Sequence, residues 1–130
     1  MKYLLDVNAL VAFGLLSHQF HPRIIAWVQL ENLPVLLTCS ITELGFVRVL
    51  SQASAYGYTV SEARALLLEL KGNSVVPLQF VSDGNDIASL PTWVTQAGQT
   101  TDGHLLGLAS AHGALLATLD RRIPGAFLIP

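Results

Sequence analysis

Short apolar runs that alternate with helix-like segments constrain this chain most. Lys2 to Asp6 reads as a buried strand that stops at a polar residue, and Ala9 to Leu16 as a helix covered by its neighbours. His21 to Glu31 reads as a second helix, with Pro22 in its first turn and Ile24, Ile25, Trp27 and Val28 as its apolar stripe. Val35 to Thr38 follows as a strand. A helix capped by Ser40 or Thr42 runs through Leu50, and another from Ser61 to Leu70 is closed by Lys71-Gly72-Asn73. Val75 to Val81 reads as a third strand before the polar turn 82–86, and Leu90 to Gln96 as a short helical piece. Thr101 caps a helix from Asp102 to His112, then come strands at Ala114 to Thr118 and Ala126 to Ile129. Strands separated by helices pair in parallel through crossovers, which predicts an α/β three-layer sandwich around a parallel sheet of about five strands.

Size and composition narrow the function classes. The 130 residues suit one domain spanning 1–130; apolar residues make up 52% and charged residues 12%, enough for a sizeable core. A net charge of −2 supplies no global field for a polyanion, so a nucleic-acid ligand needs a local basic patch. The apolar stretch to Leu16 is shorter than the ~20 residues that span a bilayer and carries Asp6 and Asn8, so it reads as neither leader nor membrane anchor. Cys39 has no partner for an internal disulfide, consistent with a reduced cytoplasmic setting.

Four of the nine acids stand in apolar surroundings: Asp6, Glu43, Asp102 and Asp120. Asp6 and Asp120 fall at or just past the carboxyl ends of the first and fourth strands. Asp102 begins a helix, and Glu43 lies in the first turns of the helix after the second strand. All four can therefore converge on the sheet edge where open α/β folds bind ligands. Two carboxylates ~4 Å apart repel by about 4 kcal/mol at an effective dielectric near 20. A divalent cation removes that repulsion, and all-oxygen ligands favour Mg²⁺ or Mn²⁺ over zinc. A hydrated Mg²⁺ is suited to in-line hydrolysis of a phosphodiester.

The segments Leu4-Leu5-Asp6-Val7-Asn8-Ala9-Leu10, Thr42-Glu43-Leu44-Gly45-Phe46-Val47-Arg48, Thr101-Asp102-Gly103-His104-Leu105-Leu106 and Ala117-Thr118-Leu119-Asp120-Arg121 resemble, in order, the motifs of PIN-domain ribonucleases. More narrowly, the full length resembles VapC-type toxins of type II toxin–antitoxin pairs. The resemblance implies a PIN-like fold and metal-dependent ribonuclease activity, with Asp6 and Asp102 binding Mg²⁺ directly. It implies that Glu43 and Asp120 complete the pocket, and that Asn8 and Thr118 orient carboxylates. It also implies an RNA substrate, a small cognate antitoxin and a homodimer. Gly103 stands where the family more often has Ala.

Arg48, Arg121 and Arg122 are the candidate phosphate contacts, because a guanidinium grips phosphate in two places. His18 and His21 read as a surface pair at a helix entry, and His104 as a residue at the pocket rim. Asp83-Gly84-Asn85-Asp86 reads as a turn, since no later Glu completes a calcium loop. Trp27 and Trp93 read as core or dimer-face residues. An aspartyl phosphatase needs a second Asp where Asn8 stands, a receiver domain lacks its acid at the third strand, and no phosphate-binding glycine loop occurs. The alternative is a PIN-like protein- or RNA-binding module without catalysis.

Overall fold

The computed structural model describes residues 1–73 and 75–130. Five strands, β1 (Lys2–Leu5), β2 (Val35–Thr38), β3 (Leu78–Phe80), β4 (Leu115–Thr118) and β5 (Phe127–Leu128), form one sheet in the order β3-β2-β1-β4-β5. Every pairing is parallel. The helices are α1 (Val7–Gly14), α2 (His21–Leu30), α3 (Ser40–Gln52), α4 (Val60–Asn73) and α5 (Thr100–Ala111).

Side-chain alternation along β1 divides the interior in two. Tyr3 and Leu5 face a core supplied by α1 to α4, including Leu10, Ile24, Trp27, Phe46, Leu50 and Leu67. Leu4 faces the opposite way, with Leu37 and Leu116, against Leu105, Leu108 and Ala109 of α5. Helices therefore cover both faces, which yields the three-layer α/β/α sandwich.

Strand order creates the site. The chain builds outward from β1 through β2 to β3, then returns to place β4 on the other side of β1. The crevice between β1 and β4 is the switch point at which open sheets bind ligands beyond their carboxyl ends. Leu5 lies opposite Ala117, and the Asp6 N–H donates to the Ala117 carbonyl at 2.9 Å, so Asp6 and Thr118 emerge side by side.

Element starts differ from the sequence reading, for local hydrogen-bonding reasons. β1 ends at Leu5 and Asp6 caps α1, which begins at Val7 rather than Ala9. Neither Ser40 nor Thr42 caps α3: Cys39 does, and the Thr42 hydroxyl reaches back to accept the Cys39 N–H at 3.0 Å. The α4 box uses Thr59, two residues before Ser61. The Glu62 N–H donates to Thr59 Oγ1 at 3.1 Å and the Thr59 N–H to Glu62 Oε1 at 3.0 Å. Gly72 lies within the last turn of α4, which continues to Asn73. Gln99, not Thr101, precedes α5.

Leu90 to Gln96 is not helical. Short 3₁₀ turns flank it at Ile87–Ser89 and Ala97–Gln99. The segment lies against α5 at Gly103, where an added Cβ would collide with Val94 and touch Leu90 and Pro91 at 3.5 Å. The small residue beside Asp102 thus seats this connection. Gly45 has the same use in α3: a Cβ there would sit 2.5 Å from Val7 Cγ2, so its absence lets α3 close on the start of α1. Among the described residues no helix is long and apolar enough to cross a membrane.

Candidate active site

Asp6 is positioned by two bonds that follow from its place between a strand and a helix. Oδ1 accepts the Val7 N–H at 2.8 Å, which caps α1, and Oδ2 accepts the Thr118 hydroxyl at 2.9 Å. Only 6% of Asp6 is exposed. Burial pushes its carboxyl above the ordinary range, and the Asp120 charge adds to that; the hydroxyl of Thr118 and the amide of Val7 oppose it.

Thr118 is fully buried and uses its whole hydrogen-bonding capacity at this point. Its hydroxyl donates to Asp6 and accepts the Asp120 N–H at 3.0 Å and Asn8 Nδ2 at 3.3 Å. Asn8 Oδ1 in turn accepts the Leu119 N–H at 3.1 Å, which ties the start of α1 to the end of β4. Thr118→Val keeps the shape and removes these bonds, leaving buried polar groups unmatched. We expect a stability loss of about 1–3 kcal/mol and a fall in metal affinity or activity of roughly 10–100-fold. Denaturant melts and metal titration of the purified variant would check both, and parental values in each would refute the orienting role.

Asp120 is held by Arg122 through both oxygens, with Nε 3.0 Å from Oδ1 and Nη2 3.0 Å from Oδ2; Oδ1 also takes the Arg122 N–H at 2.9 Å. These bonds keep the Asp120 carboxyl below its ordinary range. Asp102, in the first turn of α5, has no hydrogen bond to its carboxylate among the described residues. Burial, then the charges of Asp6 and Asp120, push its carboxyl up, while Arg122 partly offsets them. Three like charges are therefore gathered, with Arg122 compensating Asp120 directly and Asp102 only in part.

Asp6, Asp102 and Asp120 line one cleft of about 420 Å³. Glu43 does not line it. Its Oε2 takes the Thr38 hydroxyl and the Lys71 ammonium, the latter at 2.7 Å, and it borders a separate, mainly apolar groove between α3 and α4. His104 also lies apart, pairing with Asp83 across the turn 82–86. Of the three arginines, Arg48 lines the acidic cleft, Arg122 is committed to Asp120, and Arg121 is exposed.

The cleft contains two residues that sequence reasoning set elsewhere or did not single out, His18 and Tyr56. Lys71, which neutralises Glu43, was equally invisible, because 28 residues separate the pair. Trp27 is a core residue, stacked edge-on to Tyr3 at 4.8 Å. Trp93 borders a smaller hollow beside Asp102, Asp120 and Arg122.

The donor set is all oxygen. Among the described residues no three acids, histidines or cysteines close into a ready coordination shell. Mg²⁺ asks for less, since it keeps most of its waters and takes one or two carboxylates. Asp6 and Asp102 fit that requirement, whereas both oxygens of Asp120 are already bound by Arg122.

No family model matches the chain. Ribonuclease VapC38 of Mycobacterium tuberculosis is 39% identical over 123 residues, covering 90% of this chain and 84% of that protein. The chain belongs to the VapC ribonuclease family. VapC44 of the same species is 34% identical, covering 97% of this chain and 94% of its own. The fold agrees with solved VapC structures. Mycobacterium tuberculosis VapC20, described as a sarcin-ricin loop cleaving toxin, superposes with a TM-score of 0.68 over 98% of this chain and 99% of that one, at 14% identity. VapBC2 of Rickettsia felis, bound to a DNA fragment from its promoter, gives 0.65 over 98% and 97% at 18% identity. The order of motifs in this sequence had implied the same VapC membership.

Proposed function

We propose that this VapC ribonuclease hydrolyses RNA phosphodiester bonds with Mg²⁺, or Mn²⁺ in its place, held by Asp6 and Asp102. The observation that carries this reading is the single cleft lined by Asp6, Asp102 and Asp120, in which burial and the acidic neighbours push the Asp6 and Asp102 carboxyls up. A bound Mg²⁺ would relieve that repulsion, activate the attacking water and offset charge growing on the phosphate oxygens. Thr118 and Asn8 keep Asp6 in one orientation, and Asp120 stays ionised beside Arg122 as a fixed negative charge at the rim. Glu43 would join the site only on release of its Lys71 bridge. Arg48 and Arg121 are assigned to phosphate contacts, whereas Arg122 would take that role only on leaving Asp120.

The same reading makes the chain the toxin of a toxin–antitoxin pair, active as a cytoplasmic homodimer and restrained by a small cognate antitoxin. The family relationship and the fold shared with one half of a VapBC assembly support it. Chelation tests the chemistry directly. RNA cleavage by the purified chain is expected to stop in EDTA and to return with excess Mg²⁺ or Mn²⁺. Cleavage that persists after exhaustive chelation would exclude the metal site.

A further inference from the structure

A mildly acidic chain whose active cleft holds three carboxylates must still retain a polyanion. Arg48 is the one cationic side chain lining that cleft among the described residues. It is exposed, and its guanidinium has no hydrogen-bond or ion-pair partner there, unlike Arg122 on Asp120. Helical geometry explains how it arrives. Arg48 follows Gly45 by three residues, so it shares the face of α3 that closes on Val7, next to Asp6.

Two rings line the same cleft as Arg48. Tyr56 is half-buried against the main core, and its hydroxyl has no partner among the described residues. His18 is oriented by its Nδ1, which accepts the Phe20 N–H at 3.0 Å and leaves the Nε2 edge for another group. An arginine with unpaired donors that shares a cleft with two rings meets the requirements of single-stranded RNA, which is held through phosphate contacts and bases stacked on aromatic side chains. The cleft, about 420 Å³, lies in the range that encloses a small ligand and suits one splayed nucleotide.

We propose that His18, Arg48 and Tyr56 form the substrate-gripping wall of the acidic cleft, with Arg48 on a phosphate and Tyr56 under an unpaired base. This rests on the ribonuclease reading of the same cleft. The three residues line the same cleft as the carboxylates, so an RNA strand held by them would lie within reach of the metal-binding acids.

The test is binding of a fluorescent unstructured RNA oligonucleotide to the full-length Asp102→Asn chain in Mg²⁺, across a salt series. Arg48→Ala is expected to weaken binding about tenfold and to flatten the salt dependence by roughly one phosphate contact. Tyr56→Leu preserves bulk in the core and removes the aromatic face, so binding falls about five- to hundredfold, while Tyr56→Phe stays within about twofold of the parent. His18→Ala weakens binding severalfold. The same oligonucleotide in a duplex does not distinguish Tyr56→Leu from its parent. Parental affinity for single strands in either Arg48→Ala or Tyr56→Leu overturns the wall. Loss of binding in these variants, together with a wild-type chain that cuts no RNA, would uphold the wall and reject the nuclease reading instead.

Discussion

Asp6→Asn and Asp102→Asn each lower RNA cleavage by more than about 100-fold, beyond the usual cost of losing a group that only orients a ligand, and neither lowers the melting temperature by many degrees. Both effects have one cause. Asp6 is 6% exposed and sits near Asp120, and Asp102 feels both of its acidic neighbours. In the metal-free chain, ionising these groups opposes folding, so an uncharged isostere relieves repulsion while it removes a hard anionic ligand. The carboxamide oxygen introduced by Asp6→Asn can still accept the Val7 N–H, but its NH2 replaces the oxygen that accepts the Thr118 hydroxyl, so relief of repulsion and loss of that bond oppose each other there; Asp102 has no hydrogen bond to lose among the described residues. Single-turnover cleavage and thermal denaturation of the same preparations check this. Unimpaired cleavage in both variants would remove these residues from catalysis. A drop of many degrees in melting temperature would make their role structural.

The second large effect is a metal-dependent stability that changes with pH. Unfolded Asp titrates at pH ~3.9, and Asp6 and Asp102 titrate higher in the folded chain. Between those values the folded state holds more protons, so its metal-free stability falls as pH rises from the unfolded value through the two folded ones. Asp120 has the opposite sign: its pairing with Arg122 stabilises above the unfolded pKa and is lost as pH falls through its lowered folded value. The joint contribution of these three groups to metal-free stability is therefore greatest near the unfolded pKa of Asp. Mg²⁺ at about 100 times its dissociation constant adds about 2.7 kcal/mol, on the order of 10 °C for a chain of this size. At about pH 4 protonated ligands compete with the metal, and the gain shrinks from its value at about pH 7. Melting curves with and without Mg²⁺ at those two pH values, in the parent and in Asp102→Asn, measure it. An equal Mg²⁺ effect at both pH values, or an undiminished one in Asp102→Asn, would contradict binding at these carboxylates.

Much of the fold was legible because each signal was local. A parallel strand covered on both faces must be a nearly continuous apolar run, as Tyr3-Leu4-Leu5 and Leu115-Leu116-Ala117 are, and a charge at its end stands out. Helix starts were less legible, since several hydroxyls compete to cap: Cys39 with Thr42 closes α3, and Thr59 with Glu62 closes α4. Leu90 to Gln96 carries an apolar pattern for a different reason. Its side chains pack on Gly103 of α5 from a non-helical path.

The amino-acid sequence by itself determined the α/β class, the VapC motifs and the placement of Asp6, Asp102 and Asp120 at element ends, since backbone periodicity and strand termination depend on near neighbours. Only the tertiary structure decided which of those acids share a cleft. The reversal of strand order beside β1 brings Thr118 and Asp120 next to Asp6, more than a hundred residues apart in the chain. The same packing draws Lys71 onto Glu43 and turns that acid toward another groove, and it sets His18, Arg48 and Tyr56 in the cleft of the other three carboxylates. Partners so distant leave no periodic trace, because their meeting depends on how helices close over the sheet.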